Sequence, residues 1–323
     1  MLHDFCSKTN KGWQCAIGLD FFCPSKNRFF FGNSPQNYPK GSESRCGFAQ
    51  KRLILWENPF FQPTNLTKKL KIIYRDNAVT VFQSALFQTN STVVQTEDLV
   101  LVVDPNWDAD ELAAIPQDLA DMGVTCVAGL ATHLHYDHVM WHPDLGDVPR
   151  WSTPGTVRIT REQRAEVLAP LLGDIPDDLI EIAGHLTPIA GTELDWRGPK
   201  AIVHEHDAHA VHHLALEIPD WGLLVSGDML SDAELPYPDD DDTDLVRYRE
   251  GLDSLQEVAR RSRYVVPGHG TSGTDAMARW DADRRYLDDV VEKGASDDPR
   301  IQNDEQPEMH AKNLERGSRT PHR

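Results

Sequence analysis

Residues 132–138 read THLHYDH and follow directly on an apolar run, 124–130, with the length and composition of a buried strand. Side chains at positions i and i+2 of an extended segment point the same way, so His133 and His135 can converge on one metal ion. Asp137 and His138 come where the chain should turn and can face a neighbouring position. Imidazole and carboxylate groups are ligands that zinc accepts. We therefore predict a metal site at the end of this strand.

Chance does not account for this motif. Random placement of His and Asp in a chain of this composition would give about 0.003 copies of His-x-His-x-Asp-His. The alternative interpretation, a loop that happens to expose four polar residues, is disfavoured by so low an expectation. Since one cluster cannot fill two coordination shells, further ligands must lie elsewhere in the chain.

Three polar segments further along the chain also follow predicted strands: DAHAVHH at 207–213, SGDM at 226–229 and PGHG at 267–270. A lone His or Asp after a strand is usually an ordinary loop residue. The order of these segments and their position at strand ends, together with the first motif, favour a role in the same site.

In these motifs the chain resembles the metallo-β-lactamase superfamily, over roughly residues 78–290. Five motifs of that family run in order here, and they contain Asp104, His133, His209, Asp228 and His269. The resemblance implies an α/β fold, a four-layer αββα sandwich with the metals at one edge of its two sheets. It also implies that Asp104 orients ligands rather than binding metal.

The resemblance further implies a ligand set for two zinc ions, with iron or manganese as alternatives. It gives His133, His135 and His209 to one ion, Asp137, His138 and His269 to the other, and Asp228 as a bridge between them.

The reaction implied by such a site is hydrolysis. Two metal ions ~3.5–4 Å apart can share a water and lower its pKa from ~15.7 towards neutrality, which supplies hydroxide at pH 7. The metal-bound hydroxide attacks a carbonyl carbon or a phosphorus atom, and Asp137 or a metal-bound water returns the proton to the leaving group. Asp137 and Asp228 are thus the predicted catalytic residues. We expect a dinuclear hydrolase that acts on a small ester, lactone or thioester.

Departures from the family pattern leave alternatives open. The third motif of the family is often Pro-Gly-His-Thr-x-Gly-His. Several histidines are crowded into the corresponding segment here, so His204, His206 or His212 could replace His209 as the ligand. Asp228 stands where one group of true β-lactamases has a cysteine. Persulfide dioxygenases, which use one iron, are the non-hydrolytic alternative, and a binding protein with a vestigial site is the third.

Chain length around the last two motifs narrows the family members to be considered. Only 40 residues separate Asp228 from His269, which excludes the nucleic-acid-cleaving branch with a large domain inserted there. We expect few structured residues after His269, which argues against the glyoxalase II type with its helical substrate domain. We interpret Tyr237 as a packed loop residue rather than an oxyanion donor, and the acidic run 239–242 as a solvated turn rather than a lid.

Composition bears on location and partners. A net charge of −19 argues against binding of nucleic-acid phosphates or of an anionic membrane surface. No run of 18 apolar residues is present, and the first six residues lack the pattern of a secretory signal. Five cysteines without a Cys-x-x-Cys pair favour reduced thiols and a cytoplasmic protein. We expect a small-molecule substrate as the partner, and we leave the oligomeric state open, with a homodimer as one alternative.

Three regions are predicted from charge and composition. Residues 1–75 form a basic, Phe/Lys/Asn-rich extension of irregular structure, with 12 Lys and Arg against 4 Asp and Glu. A zinc module built on its four cysteines is disfavoured, because their spacings of nine, eight and twenty-three exceed those of usual zinc ligands. Residues 76–292 form the metallo-β-lactamase-fold domain. Residues 293–323 are polar and charged and are predicted to be a disordered tail.

Two local patterns predict helix boundaries. Residues 108–122 carry Leu112, Ile115 and Leu119 at helical spacing, and Pro116 is expected to break or restart that helix. Thr160, with a Gln three residues later, predicts the start of a helix that runs towards residue 172.

Overall fold

The computed structural model describes residues 6–9, 12–15, 70–239 and 244–320. The chain divides into two units, Met1–Asn65 and Leu66–Arg323. In the first unit β1 (Cys6–Thr9) pairs with β2 (Gly12–Cys15) as an antiparallel hairpin. Cys23 and Cys46 of the cysteine module lie outside the described residues, as does the rest of the predicted extension up to residue 69.

The first sheet of the second unit has its strands side by side in chain order. They are β3 (Lys71–Arg75), β4 (Val79–Gln83), β5 (Asn90–Thr96), β6 (Leu99–Val103), β7 (Thr125–Leu130), β8 (Arg150–Ser152) and β9 (Thr187–Pro188). Neighbours are antiparallel from β3 to β6 and parallel from β6 to β9. Since β3 pairs with β4, the sheet begins before residue 76, earlier than the predicted domain boundary.

The second sheet has four strands, again adjacent in chain order. They are β10 (Ile202–His206), β11 (His213–Ile218), β12 (Leu223–Gly227) and β13 (Tyr264–Pro267). β12 and β13 are parallel, and the other two pairings are antiparallel.

Helices cover the outer faces of both sheets. They are α1 (Ala109–Met122), α2 (Tyr136–Val139), α3 (Pro154–Leu168), α4 (Asp177–Ile182), α5 (Leu245–Ser254), α6 (Gln256–Arg261), α7 (Ala276–Asp288) and α8 (Gln306–Gly317). A π-helical turn, Asp289–Lys293, continues α7. Among the described residues, no helix is both long enough and apolar enough to span a membrane.

Successive side chains of a strand point to opposite faces of the sheet, and this alternation produces the layers of the fold. In β6, Leu101 and Val103 join a core cluster between the two sheets, whereas Val100 and Val102 pack with α1 on the opposite face. The outer face of the second sheet is buried in the same way against α5, α6 and α7. The predicted αββα sandwich is therefore confirmed.

The helix α1 runs without a break through Pro116, so the predicted interruption is wrong. Asp108 caps its N-terminus by accepting hydrogen bonds from two backbone N–H groups, and the chain leaves the helix at Gly123 with φ 72°. Pro116 cannot donate a hydrogen bond to the preceding turn. It lies on the buried face beside Leu112 and Ile115, where packing favours the continuous helix.

The helix expected to start at Thr160 begins earlier. Pro154 occupies its first turn, and the Thr153 hydroxyl accepts a hydrogen bond from the Thr156 N–H, which makes Thr153 the N-cap. Thr160 lies inside this helix, where its hydroxyl donates to the Thr156 carbonyl.

The C-terminal segment also differs from its prediction as a disordered tail. It forms α8, and Arg300 before that helix is buried, with its guanidinium 2.6 Å from Asp283 and 2.8 Å from Asp298. Ile301 and Leu314 pack against the core cluster of the second sheet. Polar composition suggested disorder, but here the polar groups are buried as mutual partners. The expectation of few structured residues after His269 is wrong for the same reason.

Candidate metal centre

The segment that follows β7 is fixed by a carboxylate from the neighbouring strand. β6 and β7 are parallel and end side by side, with Val103 opposite Leu130, which brings Asp104 next to Thr132. The Thr132 N–H and hydroxyl both donate to Asp104, at 2.8 and 2.7 Å. Asp104 Oδ2 also lies 3.0 Å from His138 Nδ1. The buried Asp104 carboxylate thus fixes the orientation of Thr132 and His138.

One group of ligand atoms comes from separate parts of the chain. His135 Nδ1 lies 2.9 Å from His133 Nε2 and 3.3 Å from His209 Nε2. Asp228 Oδ2 lies 3.5 Å from His133 Nε2 and 3.3 Å from His209 Nε2. The ligand atoms of all four residues lie within 4.8 Å of one another, which is close enough to surround one metal ion.

A second group lies directly beside the first. Asp137 Oδ2 is 3.4 Å from His138 Nε2 and 3.3 Å from His269 Nε2. Asp228 faces this group as well, with Oδ1 3.3 Å from His138 Nε2 and Oδ2 3.4 Å from His269 Nε2. The Asp228 carboxylate therefore contacts both groups. The structure brings all seven residues predicted from the sequence into one place.

Backbone contacts between the two sheets hold His269 in position. The Asn90 N–H donates to the Gly268 carbonyl at 2.7 Å. The Asn90 side-chain amide donates to the carbonyls of Pro267 and Gly270, both at 2.9 Å. The loop after β13 is thereby joined to the start of β5, across the edge where the ligands meet.

The donor atoms have the character of a metal site. His138 Nε2 and Asp228 Oδ1 are buried and lie 3.3 Å apart, yet neither has a partner in hydrogen-bond geometry. Buried polar atoms without partners are costly and rare in proteins, so these two call for a group between them. Imidazole nitrogens and carboxylate oxygens suit zinc and other divalent transition metals. The seven residues therefore fit the binding of a divalent metal.

Charges within the site are strongly coupled. Burial opposes ionisation of Asp228, but the nearby His138, His269 and His133 hold its pKa well below the usual range. Burial also opposes protonation of His138, yet Asp228 and Asp137 keep its pKa well above the usual value. Since a histidine ligand must be neutral, a cation bound here would have to displace a proton from His138.

The other four histidines of the two groups each have a partner for the ring nitrogen that points away from the cluster. These are the Thr132 hydroxyl at 3.0 Å for His133, Asp239 at 3.2 Å for His135, the Tyr237 carbonyl at 2.8 Å for His209, and the Phe87 carbonyl at 2.9 Å for His269. Partners of this kind select the tautomer and the ring orientation that present the other nitrogen to a metal.

The crowded histidines of residues 204–213 are separated clearly by the structure. His209 lies in the cluster, whereas His204 pairs with Glu217 at 2.8 Å and His212 pairs with Glu205 at 2.9 Å.

The other two histidines of this segment, His206 and His213, belong to neither ligand group. His206 stacks on His213, with ring centroids 4.7 Å apart. His213 Nε2 accepts a hydrogen bond from the Asp228 N–H at 3.1 Å, so His213 supports the backbone of Asp228.

Two acidic residues beside the site were not predicted from the sequence. Glu234 Oε1 lies 3.8 Å from His269 Nδ1, and burial raises the pKa of Glu234 to about 7, although 36% of its side chain remains exposed. Asp239 belongs to the run interpreted as a solvated turn, yet its carboxylate contacts His135. A single Glu in a loop carries no pattern that could have marked it. The remainder of the acidic run, residues 240–242, lies outside the described residues.

Tyr237 contributes to the site through its backbone. Its carbonyl oxygen accepts the hydrogen bond from His209, while its ring lies under the Arg316 guanidinium, 4.5 Å from the ring centroid. This packed ring agrees with the structural interpretation made from the sequence.

A family model described as the metallo-beta-lactamase superfamily matches residues 85–269, which is more than half of the chain. That range contains every residue of the two ligand groups.

Solved structures share the fold at low sequence identity. A metallo-beta-lactamase from Pontibacter korlensis is 16% identical with a TM-score of 0.52, and the match covers 66% of this chain and 95% of that one. The metallo-beta-lactamase FIM-1 from Pseudomonas aeruginosa, in its mono-zinc form, is 16% identical with a TM-score of 0.53, covering 69% and 96%. A metallo-beta-lactamase family protein from Thermus thermophilus is 21% identical with a TM-score of 0.51, covering 65% and 78%.

Proposed function

The chain belongs to the metallo-beta-lactamase superfamily, and on that basis we propose that it is a metal-dependent hydrolase that cleaves a small ester, lactone or thioester. The observation that carries the proposal is the position of Asp228, whose carboxylate lies within 3.5 Å of histidines from both ligand groups. A carboxylate placed in this way can bridge two cations and offset part of their charge.

We assign two divalent cations to the site, zinc first, with iron or manganese as alternatives. His133, His135 and His209 would hold one cation, Asp137, His138 and His269 would hold the other, and Asp228 would bridge them. Bound cations of this kind acidify water and polarise the reacting oxygen of a substrate. Asp137 is the chain's own candidate to carry a proton to the leaving group, since it is buried and its carboxylate faces the interior of the site.

The surroundings of the site favour a substrate without a large negative charge. Phe87 is 41% exposed, and it begins a row of aromatic contacts with Trp107 and Tyr136, at centroid distances of 6.4 and 5.4 Å. This row borders the site, because the Phe87 carbonyl accepts a hydrogen bond from His269. Glu234 and Asp239 add acidic groups nearby, which would repel a polyanion. An apolar acyl or lactone group suits such a border.

Metal analysis combined with a substrate panel tests the proposal. We expect about two transition-metal ions per chain, because seven ligand residues exceed one tetrahedral site. We also expect hydrolysis of esters, lactones or thioesters that a chelator abolishes and added zinc restores. β-Lactams and phosphodiesters complete the panel.

Two other results would point to the alternatives. One iron per chain, with oxygen consumed on a persulfide substrate, would replace the hydrolase by a dioxygenase. Bound metal without turnover of any panel member would favour a binding protein with a vestigial site.

A further inference from the structure

We propose that α8 is a positioning element for the metal ligands, and that Asn313 and Arg316 on this helix hold His209 and His135 in place through residues 236–239. The proposal rests on the metal centre of the proposed function. α8 lies beyond residue 269, where the match to the family model ends, so the role concerns a part of the chain outside that match.

Residues 236–239 contact two of the proposed ligands directly. The carbonyl oxygen of Tyr237 can only accept, so His209 Nδ1 must carry the proton of their 2.8 Å hydrogen bond. His209 Nε2 then keeps its lone pair, and this atom faces Asp228 at 3.3 Å. The Asp239 N–H donates to the His209 carbonyl at 2.8 Å, which fixes the backbone of the same residue.

Asp239 acts on the second ligand in a similar way. Its Oδ2 lies 3.2 Å from His135 Nε2, where a carboxylate favours the tautomer with the proton on Nε2. His135 Nδ1 then keeps its lone pair for a metal ion, and it faces His133 and His209. Residues 237 and 239 thus set the tautomers of two ligands from outside the cluster.

The helix α8 in turn contacts residues 236–239. Asn313 is fully buried, and its side-chain amide donates to the Pro236 carbonyl at 2.7 Å. The Arg316 guanidinium covers the Tyr237 ring at 4.5 Å, in the geometry of a cation–π contact. Both contacts act on the residues that lead into the hydrogen bond with His209.

The helix α8 is itself held by contacts with α7 and the π-helical turn. The Asn313 amide also donates to the hydroxyl of the buried Tyr286 on α7, at 3.1 Å. At Gly317 the helix approaches the π-helical turn so closely that an added Cβ would lie 2.9 Å from the Val290 carbonyl oxygen. α8 is therefore fixed to the domain, and its contacts can hold residues 236–239 against movement.

Metal affinity of full-length variants tests the proposal. Asn313→Ala removes the hydrogen bond to Pro236, and Arg316→Ala removes the contact with Tyr237. Glu315→Ala is the matched control, because this neighbouring exposed residue on the same helix pairs with Arg319. Zinc dissociation constants come from competition with a chelator. The absorption spectrum of the cobalt-substituted protein reports ligand geometry, which a purely structural role of α8 would leave unchanged.

We expect Asn313→Ala to weaken zinc binding ~10–100-fold, as other losses of ligand-orienting partners do. Arg316→Ala should act in the same direction, both variants should alter the cobalt spectrum, and Glu315→Ala should match the unmodified protein. If Asn313→Ala does not fold, Arg316→Ala decides the question.

The proposal is overturned if the variants that fold bind zinc as tightly as the control and give its cobalt spectrum. Failure of the proposed function would look different, since the unmodified protein would then bind no metal or would bind metal without hydrolysing any member of the substrate panel.

Discussion

Gly268 leaves room for the carboxylate of Asp228: a Cβ added at Gly268 would lie 1.9 Å from Asp228 Oδ1. The same Cβ would come within 3.1 Å of the His138 ring. Glycine is therefore required at this position by the Asp228 carboxylate rather than by backbone conformation.

The variant Gly268→Ala should lose metal while remaining folded. The added methyl group must displace the Asp228 carboxylate, which would then no longer face both ligand groups. We expect the metal content after dialysis to fall by at least one ion per chain, measured by elemental analysis. Gly191→Ala is the control for general destabilisation, since its backbone (φ +87°) disfavours a side chain although nothing lies within 4 Å. Equal metal content in the two variants would contradict the bridging role.

Asp228→Ala should damage the site more than His213→Ala. Asp228 contacts both ligand groups, so its loss should remove a metal and abolish hydrolysis. His213 accepts the hydrogen bond from the Asp228 N–H and belongs to neither ligand group, so losing it should cost ~10–100-fold in metal affinity or activity. Chelator competition and initial rates on the best ester substrate measure both effects. If instead His213→Ala strips the metal and His209→Ala remains loaded and active, the ligand assignment in residues 204–213 must shift.

The first unit of the chain should be dispensable for metal binding, whereas β3 should not be dispensable for stability. A shortened chain that begins at Leu66 keeps β3 and the buried Leu70. We expect it to bind as much metal as the full chain.

A chain that begins at Ala78 is the comparison, because it lacks β3 and exposes the edge of β4. It should unfold at a lower temperature, as followed by circular dichroism. Loss of metal from the longer of the two shortened chains would show that the first unit belongs to the functional core.

His206 should make stability depend on pH. Burial lowers the pKa of His206 to about 3, well below the ~6.5 expected in the unfolded chain. Below pH ~6.5 the unfolded state therefore binds a proton that the folded state refuses, and the free energy of unfolding falls as the pH decreases towards about 3. One such proton corresponds to about 1.4 kcal/mol per pH unit.

The variant His206→Gln removes this titration, while the other buried histidines remain in the chain. Urea unfolding between pH 7 and pH 4.5, with a chelator present, should give a shallower pH dependence for the variant. Identical slopes for the two proteins would show that His206 is not held neutral in the fold.

The layers and the ligand cluster could be predicted because both depend on local patterns. Apolar runs mark β6 and β7, and the residues that follow them at strand ends are forced to one edge by the parallel pairing. Ligand motifs at such ends are therefore readable from a short window of sequence.

Features made by contacts between distant segments could not be predicted. Arg300 and Asp283 look like solvent-exposed charges in the sequence, and only the fold reveals that they neutralise each other in the interior. The hydrogen bond to His209 comes from a backbone carbonyl at Tyr237, which carries no signature of residue type. The interruption expected at Pro116 is wrong because local propensity takes no account of the packing of its buried face.

The contacts between Asn90 and the loop after β13 have a consequence for biosynthesis. Asn90 and Pro267 are 177 residues apart in the chain, so this junction closes a very long loop. Long-range closure of this kind is slow compared with helix formation. A ribosome makes the chain from its N-terminus, and His133 and His135 emerge well before His269. The second ligand group is consequently incomplete until β13 and the loop after it have been made, so full metal loading has to follow the synthesis of both sheets.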